Sequence, residues 1–453
     1  GSEMCIRDRY SNEALFFTFL ANVFCNKICH YAILHGQSAL LQAKSRQNGA
    51  YRIKQRHRFF FVRNWIWTKH YAETSLCRLS DSRIRLSSIP STLNISSMSQ
   101  SYRLTEDGLQ IRNSRNFETE EYVRFESINP LAQALRDYIV TGPGLIPGIS
   151  AASVCLQAQI HANTPTPASF YYTLQEAVLV LKAARPYSFP LSRTANAVSR
   201  LVSALMSHNA SPQECCTALN CMHSIICNSI DKIEAQMRAH IESTLPQDGM
   251  ITAVGGFGSQ HSVARGTLVP VLIDRKNAGK RIPRVYCPVS PPLAETHYTV
   301  KELRAAGCPA DLVTDAGIPH LMMRENARAL YVIGVRICAN GDVQVPAGAT
   351  GPAAIAKHLG IPVYIVAYRH VFDSNFTSAQ EAPYEEFAGQ DFDIGTVPVS
   401  RHPFVDIIPN EWVTSYITPS GIIPAGNPET LKPFMDAGDR AHLEALEAVK
   451  LMF

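Results

Sequence analysis

The stretch Met250-Ile251-Thr252-Ala253-Val254-Gly255-Gly256-Phe257-Gly258-Ser259 decides the fold. Five uncharged, mostly apolar residues run straight into a glycine-rich turn. A short run bounded in this way reads as a buried strand. Runs of the same Val/Ile-rich texture follow at 284–287, 310–314, 329–337 and 362–368. Helical patterns lie between them at 259–268, 299–306, 321–327 and 351–358. Strands spaced by helices imply βαβ units, because parallel strands need a crossover connection. Residues 246–453 are therefore expected to form a Rossmann-like, doubly wound parallel sheet domain, covered on both faces.

Upstream the period changes to helical. Leu131, Leu135, Tyr138 and Ile139 share the spacing of one helix face. Gly142, Pro143, Gly144, Pro147 and Gly148 break that pattern, and Ala151, Ala152 and Ser153 open a second helix. Further helices are expected over 174–184, 196–206 and 212–239, after a polar strand-and-turn lead-in at 98–130. The expected architecture is α/β, with an α-helical N-terminal domain at 98–245 followed by the sheet domain.

The chain of 453 residues carries a net charge of +4, but the charge is uneven. Residues 1–97 hold 14 Lys and Arg against 5 Asp and Glu, leaving 98–453 at net −5. Neither the helical nor the strand period is sustained over 10–97. Glu3-Met4-Cys5-Ile6-Arg7-Asp8-Arg9 match the translation of a sequencing-library adapter, so 1–97 reads as adapter and non-native sequence, with Met98 the expected start. The alternatives are a natural extension, a transit peptide or a signal peptide. With the charge divided, direct nucleic-acid binding is not expected. Nor is membrane insertion, since no run reaches the roughly 18–20 apolar residues a bilayer requires. Twelve irregularly spaced cysteines do not describe a disulfide scaffold and fit a reducing cytoplasm.

Ligands of open α/β sheets bind beyond the carboxyl ends of the strands. That rule selects four places. Gly255, Gly256, Gly258 and Ser259 form a turn whose amides suit a phosphate, or else a plain strand–helix turn. Arg336, with Asn340, Gly341 and Asp342 after it, offers a cation and a turn carboxylate. Asp315 is either a hydroxyl contact or a helix cap. Arg185 is either a cleft cation or a surface helix end. Cys215, Cys216, Cys221 and Cys227 read as core filling, and His297, His320 and His358 lack paired metal spacing. No metal or cofactor is expected. Ser259 and His261, two apart, do not face one another as nucleophile and base.

A set of motifs runs in order along the chain: Leu135-Arg136-Asp137-Tyr138-Ile139-Val140 with Gly148-Ile149-Ser150-Ala151-Ala152, and Ala184-Arg185-Pro186. Asn340-Gly341-Asp342-Val343, Ala356-Lys357-His358-Leu359-Gly360-Ile361-Pro362 and Phe404-Val405-Asp406-Ile407-Ile408-Pro409 complete them. Their order resembles the superfamily of methylthioribose-1-phosphate isomerase, ribose-1,5-bisphosphate isomerase and the alpha, beta and delta regulatory subunits of initiation factor 2B. The resemblance spans nearly all of 98–453 and implies this two-part fold. It also implies a homodimer or hetero-oligomer through the α/β domain, with initiation factor 2 exchange-factor subunits as partners.

The departures bear on chemistry. The isomerases' catalytic Cys falls at Val254 and their Asp at Val335. Their N-domain Arg-Gly reads Thr141-Gly142, and their Asn-Lys reads Val345-Pro346. Aldose–ketose isomerisation needs an acid/base pair, each member contributing about 10²–10⁴ in rate, and valine supplies neither. The resemblance therefore implies a non-catalytic regulatory protein that binds a phosphorylated small molecule. The alternative is a rearranged isomerase using Asp315, Cys338 or Asp342.

Overall fold

The computed structural model describes residues 101–435, apart from 106–107, 117–118, 165, 292, 388–392, 395–396 and 399–400. The segment 1–97 and the expected start at Met98 lie outside the described residues.

The lead-in is an antiparallel meander of β1 (Tyr102–Thr105), β2 (Gly108–Arg112) and β3 (Tyr122–Phe125). Its inward residues Tyr102, Leu109, Ile111 and Phe125 join the core. Five helices follow: α1 (Ile128–Arg136), α2 (Ile146–His161), α3 (Pro167–Ala184), α4 (Phe189–Ser207) and α5 (Pro212–Thr244). Helix α2 is buried from Ile146 to Ala158, as befits a helix apolar on every side. Pro147 and Gly148 lie inside its first turn instead of breaking the chain before it, because a proline there gives up an N–H that has no helical partner. Helix α5 opens on a capping box, Ser211 with Glu214, and at 33 residues it runs about 50 Å. It packs on α2 and on the sheet.

The main sheet holds seven strands in the order β17-β16-β10-β7-β4-β5-β6. These are β4 (Met250–Val254), β5 (Arg284–Pro288), β6 (Ala310–Val313), β7 (Ala327–Ile333), β10 (Val363–Val366), β16 (Ser415–Thr418) and β17 (Gly421–Pro424). All neighbours pair in parallel except β16 and β17, so an antiparallel strand closes one edge. Every residue of β4 is buried, which the continuous apolar run requires of a sheet covered on both faces. The crossovers are α6 (Leu268–Asn277), α7 (Thr296–Ala305), α8 (Gly317–Arg324) and α9 (Thr350–Leu359). A second sheet joins β8 (Arg336–Ile337), β9 (Val343–Pro346) and β15 (Val405–Ile408). Two-residue pairings complete the inventory, β11 (Glu386–Phe387) with β14 (His402–Pro403) and β12 (Asp393–Ile394) with β13 (Val397–Pro398).

Three expectations need correction. The strand expected over 329–337 is two strands: β7 ends at Ile333, Gly334 and Val335 leave the sheet, and Arg336 opens β8 in the second sheet. The helix expected over 259–268 is a single 3-10 turn, Ser259–His261, and the α-helix begins only at Leu268. Helix α1 stops at Arg136, so Tyr138 and Ile139 continue its spacing without belonging to it. A single apolar core passes from the helices into the sheet. The expected division at 245/246 thus marks a change of secondary structure within continuous packing. Among the described residues no helix is long and apolar enough to cross a membrane.

Candidate functional site

The strand order turns back between β4 and β7: β5 and β6 lie to one side, β10 and β16 to the other. Ligand crevices of open α/β sheets form at such a switch point, outside the carboxyl ends of the strands. A cleft of about 680 Å³, open to solvent, lies there. Ile333, Val335 and Gln344 form the sheet side. Tyr138, Thr141 to Pro143, Ile146, Arg185, Tyr187, Ser188 and Pro190 come from the helical part. Pro383, Tyr384 and Glu385, with Phe404, make the third wall.

Arg185 is the only cation among the described lining residues. It ends α3, and only 7% of its surface is exposed. Its guanidinium lies over the Tyr138 ring at 4.1 Å and the Phe404 ring at 5.3 Å. Nη1 donates to the Val140 carbonyl at 3.2 Å, and Nε has no partner. Burial pushes its pKa down to about 10, and the charge of Glu295 opposes that shift. A buried cation with an idle donor is a place prepared for an acceptor or an anion. Tyr138 beneath it has φ 54°, a backbone region that a bulky residue rarely adopts and that collects at functional sites.

The inner end of the cleft is locked by His261. The residue sits between Gly142 and Gly256: a Cβ at Gly142 would stand 2.6 Å from its Cβ and its carbonyl oxygen, and one at Gly256 would stand 2.1 Å from its ring. Only glycine permits this approach at either position. Thr141 Oγ1 meets His261 Nδ1 at 3.2 Å, and His370 Nε2 donates to the Pro143 carbonyl at 2.7 Å. Deeper in, the fully buried Glu234 accepts from Ser262 Oγ, from Tyr368 at 2.8 Å and from the Gly266 amide at 2.8 Å. These contacts tie the Gly142–Gly144 turn to the ends of β4 and β10.

The residues singled out in the sequence are not gathered at this cleft; Arg185 alone lines it. The turn at Gly255, Gly256, Gly258 and Ser259 faces the chain's own carboxylate. Glu302 accepts from the Ser259 amide at 3.1 Å and the Gln260 amide at 3.3 Å. Arg336 is buried with every nitrogen engaged inside the chain. Nη2 donates to the Tyr187 carbonyl at 2.8 Å, Nη1 to Pro383 and Gln344 at 3.0 Å each, and Nε pairs with Asp373 at 3.2 Å. Asn340, Gly341 and Asp342 form a self-bonded turn: Asn340 Nδ2 donates to Asp342 at 2.7 Å, and Asp342 accepts the Asn410 amide at 3.0 Å. Asp315 accepts the Ser290 amide at 3.2 Å, and burial raises its carboxyl above the usual range. Cys338 is fully buried, its thiol pushed up to about 12 by that burial. Of the two departure positions, Val335 lines the cleft, whereas Val254 is wholly buried behind it.

Three cleft residues escaped the sequence reading as site residues. Tyr138 passed as a helix-face residue. Glu295 and Glu385 lie in irregular segments where no period marks them. Glu385 is half-buried, and burial holds its carboxyl above the usual range.

Known proteins are similar to this chain. Methylthioribose-1-phosphate isomerase of Albidiferax ferrireducens is 28% identical over 319 residues, covering 69% of this chain and 89% of the relative. The Synechococcus protein of the same name is 26% identical over 332 residues, covering 72% and 94%. The crystal structure of 5-methylthioribose 1-phosphate isomerase from Pyrococcus horikoshii superposes with a TM-score of 0.65 at 22% identity, covering 78% of this chain and all of that one. The delta subunit of initiation factor eIF-2B from A. fulgidus superposes at 0.61 and 22% identity, covering 74% and 99%. Both superpositions establish the fold. The match that settles membership runs over residues 146–425, from the start of α2 past β17: this chain belongs to the Initiation factor 2 subunit family.

Proposed function

We propose that this chain is a non-catalytic, regulatory member of its family, similar in behaviour to the initiation factor 2B subunits, whose cleft binds a phosphorylated small molecule. The observation that carries this reading is the composition of the cleft. Arg185 lines it with a buried Nε that has no hydrogen-bond partner, and valine stands at both positions where the isomerases place their acid/base pair, Val335 in the lining and Val254 buried. An anion satisfies Arg185, and two valines move no proton.

A second reading, sugar-phosphate aldose–ketose isomerisation, draws support from the relatives' names and from the 89–94% of their length that this chain spans. Its candidate groups Asp315, Cys338 and Asp342 lie outside the cleft lining, which favours the first reading. On the first reading the protein acts through an interface, as a homodimer or with exchange-factor subunits of initiation factor 2, in the cytoplasm.

The test uses the full chain. Its melting temperature is measured with ribose 5-phosphate, ribose 1,5-bisphosphate, methylthioribose 1-phosphate and AMP, and each stabilising compound is then assayed for isomerisation. A ligand that binds only the folded state at 100 times its Kd stabilises by about 2.7 kcal/mol. A shift without turnover supports binding without chemistry. Turnover establishes the isomerase reading, and no shift with any compound removes ligand binding.

A further inference from the structure

The cleft holds a second unsatisfied group. Glu385 belongs to the wall formed by Pro383, Tyr384 and Phe404, whereas Arg185 comes from the helical side. Its carboxylate is half-buried, and among the described residues no hydrogen-bond donor or cation reaches it. Its neighbours are spoken for. Tyr384 donates to Glu386 at 3.2 Å, and Arg401 grips Glu386 as well. The Glu385 backbone is fixed by the Phe404 amide donating to its carbonyl at 2.9 Å, and Arg336 holds the Pro383 carbonyl two residues earlier. Glu385 thus lines the cleft on a wall whose backbone is anchored. Glu295, and not Glu385, is the carboxylate whose charge reaches Arg185.

A carboxylate drawn partly from water on an apolar wall requires donors. One buried guanidinium with an idle Nε requires acceptors. The cleft therefore fits a molecule that carries both an anionic group and hydroxyl donors. It does not fit a polyanion, because a single cation stands against two carboxylates. We infer that Glu385 is a specificity-determining residue that accepts hydrogen bonds from the hydroxyls of a monophosphorylated sugar whose phosphate rests at Arg185. This rests on the reading of the cleft as an anion site given above.

Calorimetry on the full chain tests it with three probes: inorganic phosphate, ribose 5-phosphate and 2-deoxyribose 5-phosphate. Wild type is expected to hold ribose 5-phosphate at least about tenfold more tightly than inorganic phosphate, the deoxy sugar falling between, since a hydrogen bond to a charged acceptor is worth about that much. Glu385→Ala and Glu385→Gln are expected to bind inorganic phosphate within about twofold of wild type and to lose most of the sugar's advantage. Unchanged phosphate binding shows that the variants are folded. Retention of the full sugar preference in Glu385→Ala overturns the inference while leaving the anion site standing. Equal wild-type affinity for phosphate and ribose 5-phosphate does the same. Failure of wild type to bind any probe overturns the anion site and this inference together.

Discussion

Replacing Arg336 with alanine removes the side chain that fastens two walls of the cleft to the sheet. The Arg336 side chain is 5% exposed and that of its counterion Asp373 is 1% exposed. Asp373 Oδ1 keeps the Asn375 amide at 2.9 Å, but Oδ2 meets only Arg336, at 3.2 Å in an ion pair too bent for a linear hydrogen bond. Taking one member from a buried pair leaves the other charged in a medium that cannot solvate it, at a cost of about 3–5 kcal/mol. The donations to Tyr187, Pro383 and Gln344 go with it. Relief of the guanidinium's own desolvation offsets them in part, so the range stands as the net expectation. At about 2–4 °C per kcal/mol, the melting temperature falls by roughly 10 °C. Urea and thermal unfolding of wild type, Arg336→Ala, Asp373→Ala and the double variant give the numbers. The double variant should be less destabilised than the sum of the single ones by at least about 1 kcal/mol. An Arg336→Ala cost below about 1 kcal/mol, or simple additivity, would refute the assignment of Arg336 as a structural latch and return it to the pool of anion-binding cations.

Two further outcomes follow from the packing around the cleft. Gly256→Ala drives a methyl group to within 2.1 Å of the His261 ring and should cost about 1–3 kcal/mol in urea unfolding, with partial recovery in Gly256→Ala/His261→Ala; no loss in the single variant would show that the ring is free to move aside. Burial holds the Glu234 carboxyl above its usual range despite the donors around it, so folding favours its protonated form. The resulting increment of stability is complete below the unfolded carboxylate value and is lost as pH rises through the folded one. Glu234→Gln should abolish that component of the slope in melting temperature between about pH 4 and 8, and an unchanged slope would assign it to another group.

The sheet was legible because its signal is local. Met250 to Val254 is a continuous apolar run closed by glycine, and four more such runs told the same story. Register and switch point follow from strand order, which pairwise neighbours cannot report. The errors have physical causes. Tyr138 keeps helical spacing past the helix end, so its left-handed backbone is invisible to a periodicity argument. The run 329–337 hides a change of sheet, because Gly334 and Val335 are as apolar as what surrounds them. Arg336 looked available because a sequence does not show whether a guanidinium's donors are already met. Glu302 filled the amides of the Gly255–Ser259 turn from an element more than 40 residues away. Arg185 was singled out as a cation at a helix end, and the family motif includes it as well. Glu385 belongs to a wall without period, and only its position in the folded chain marks it.

Binding without isomerisation can be read in a single-turnover experiment. Full-length protein in molar excess is mixed with methylthioribose 1-phosphate, and the sugar is recovered over time and resolved as aldose or ketose. The aldose is expected to return unchanged at the rate of a protein-free control, because Val254 and Val335 stand where the isomerases place their acid/base pair. Ketose formed within a single turnover, and lost in Glu385→Ala or Arg185→Ala, would contradict it and make this cleft an active site.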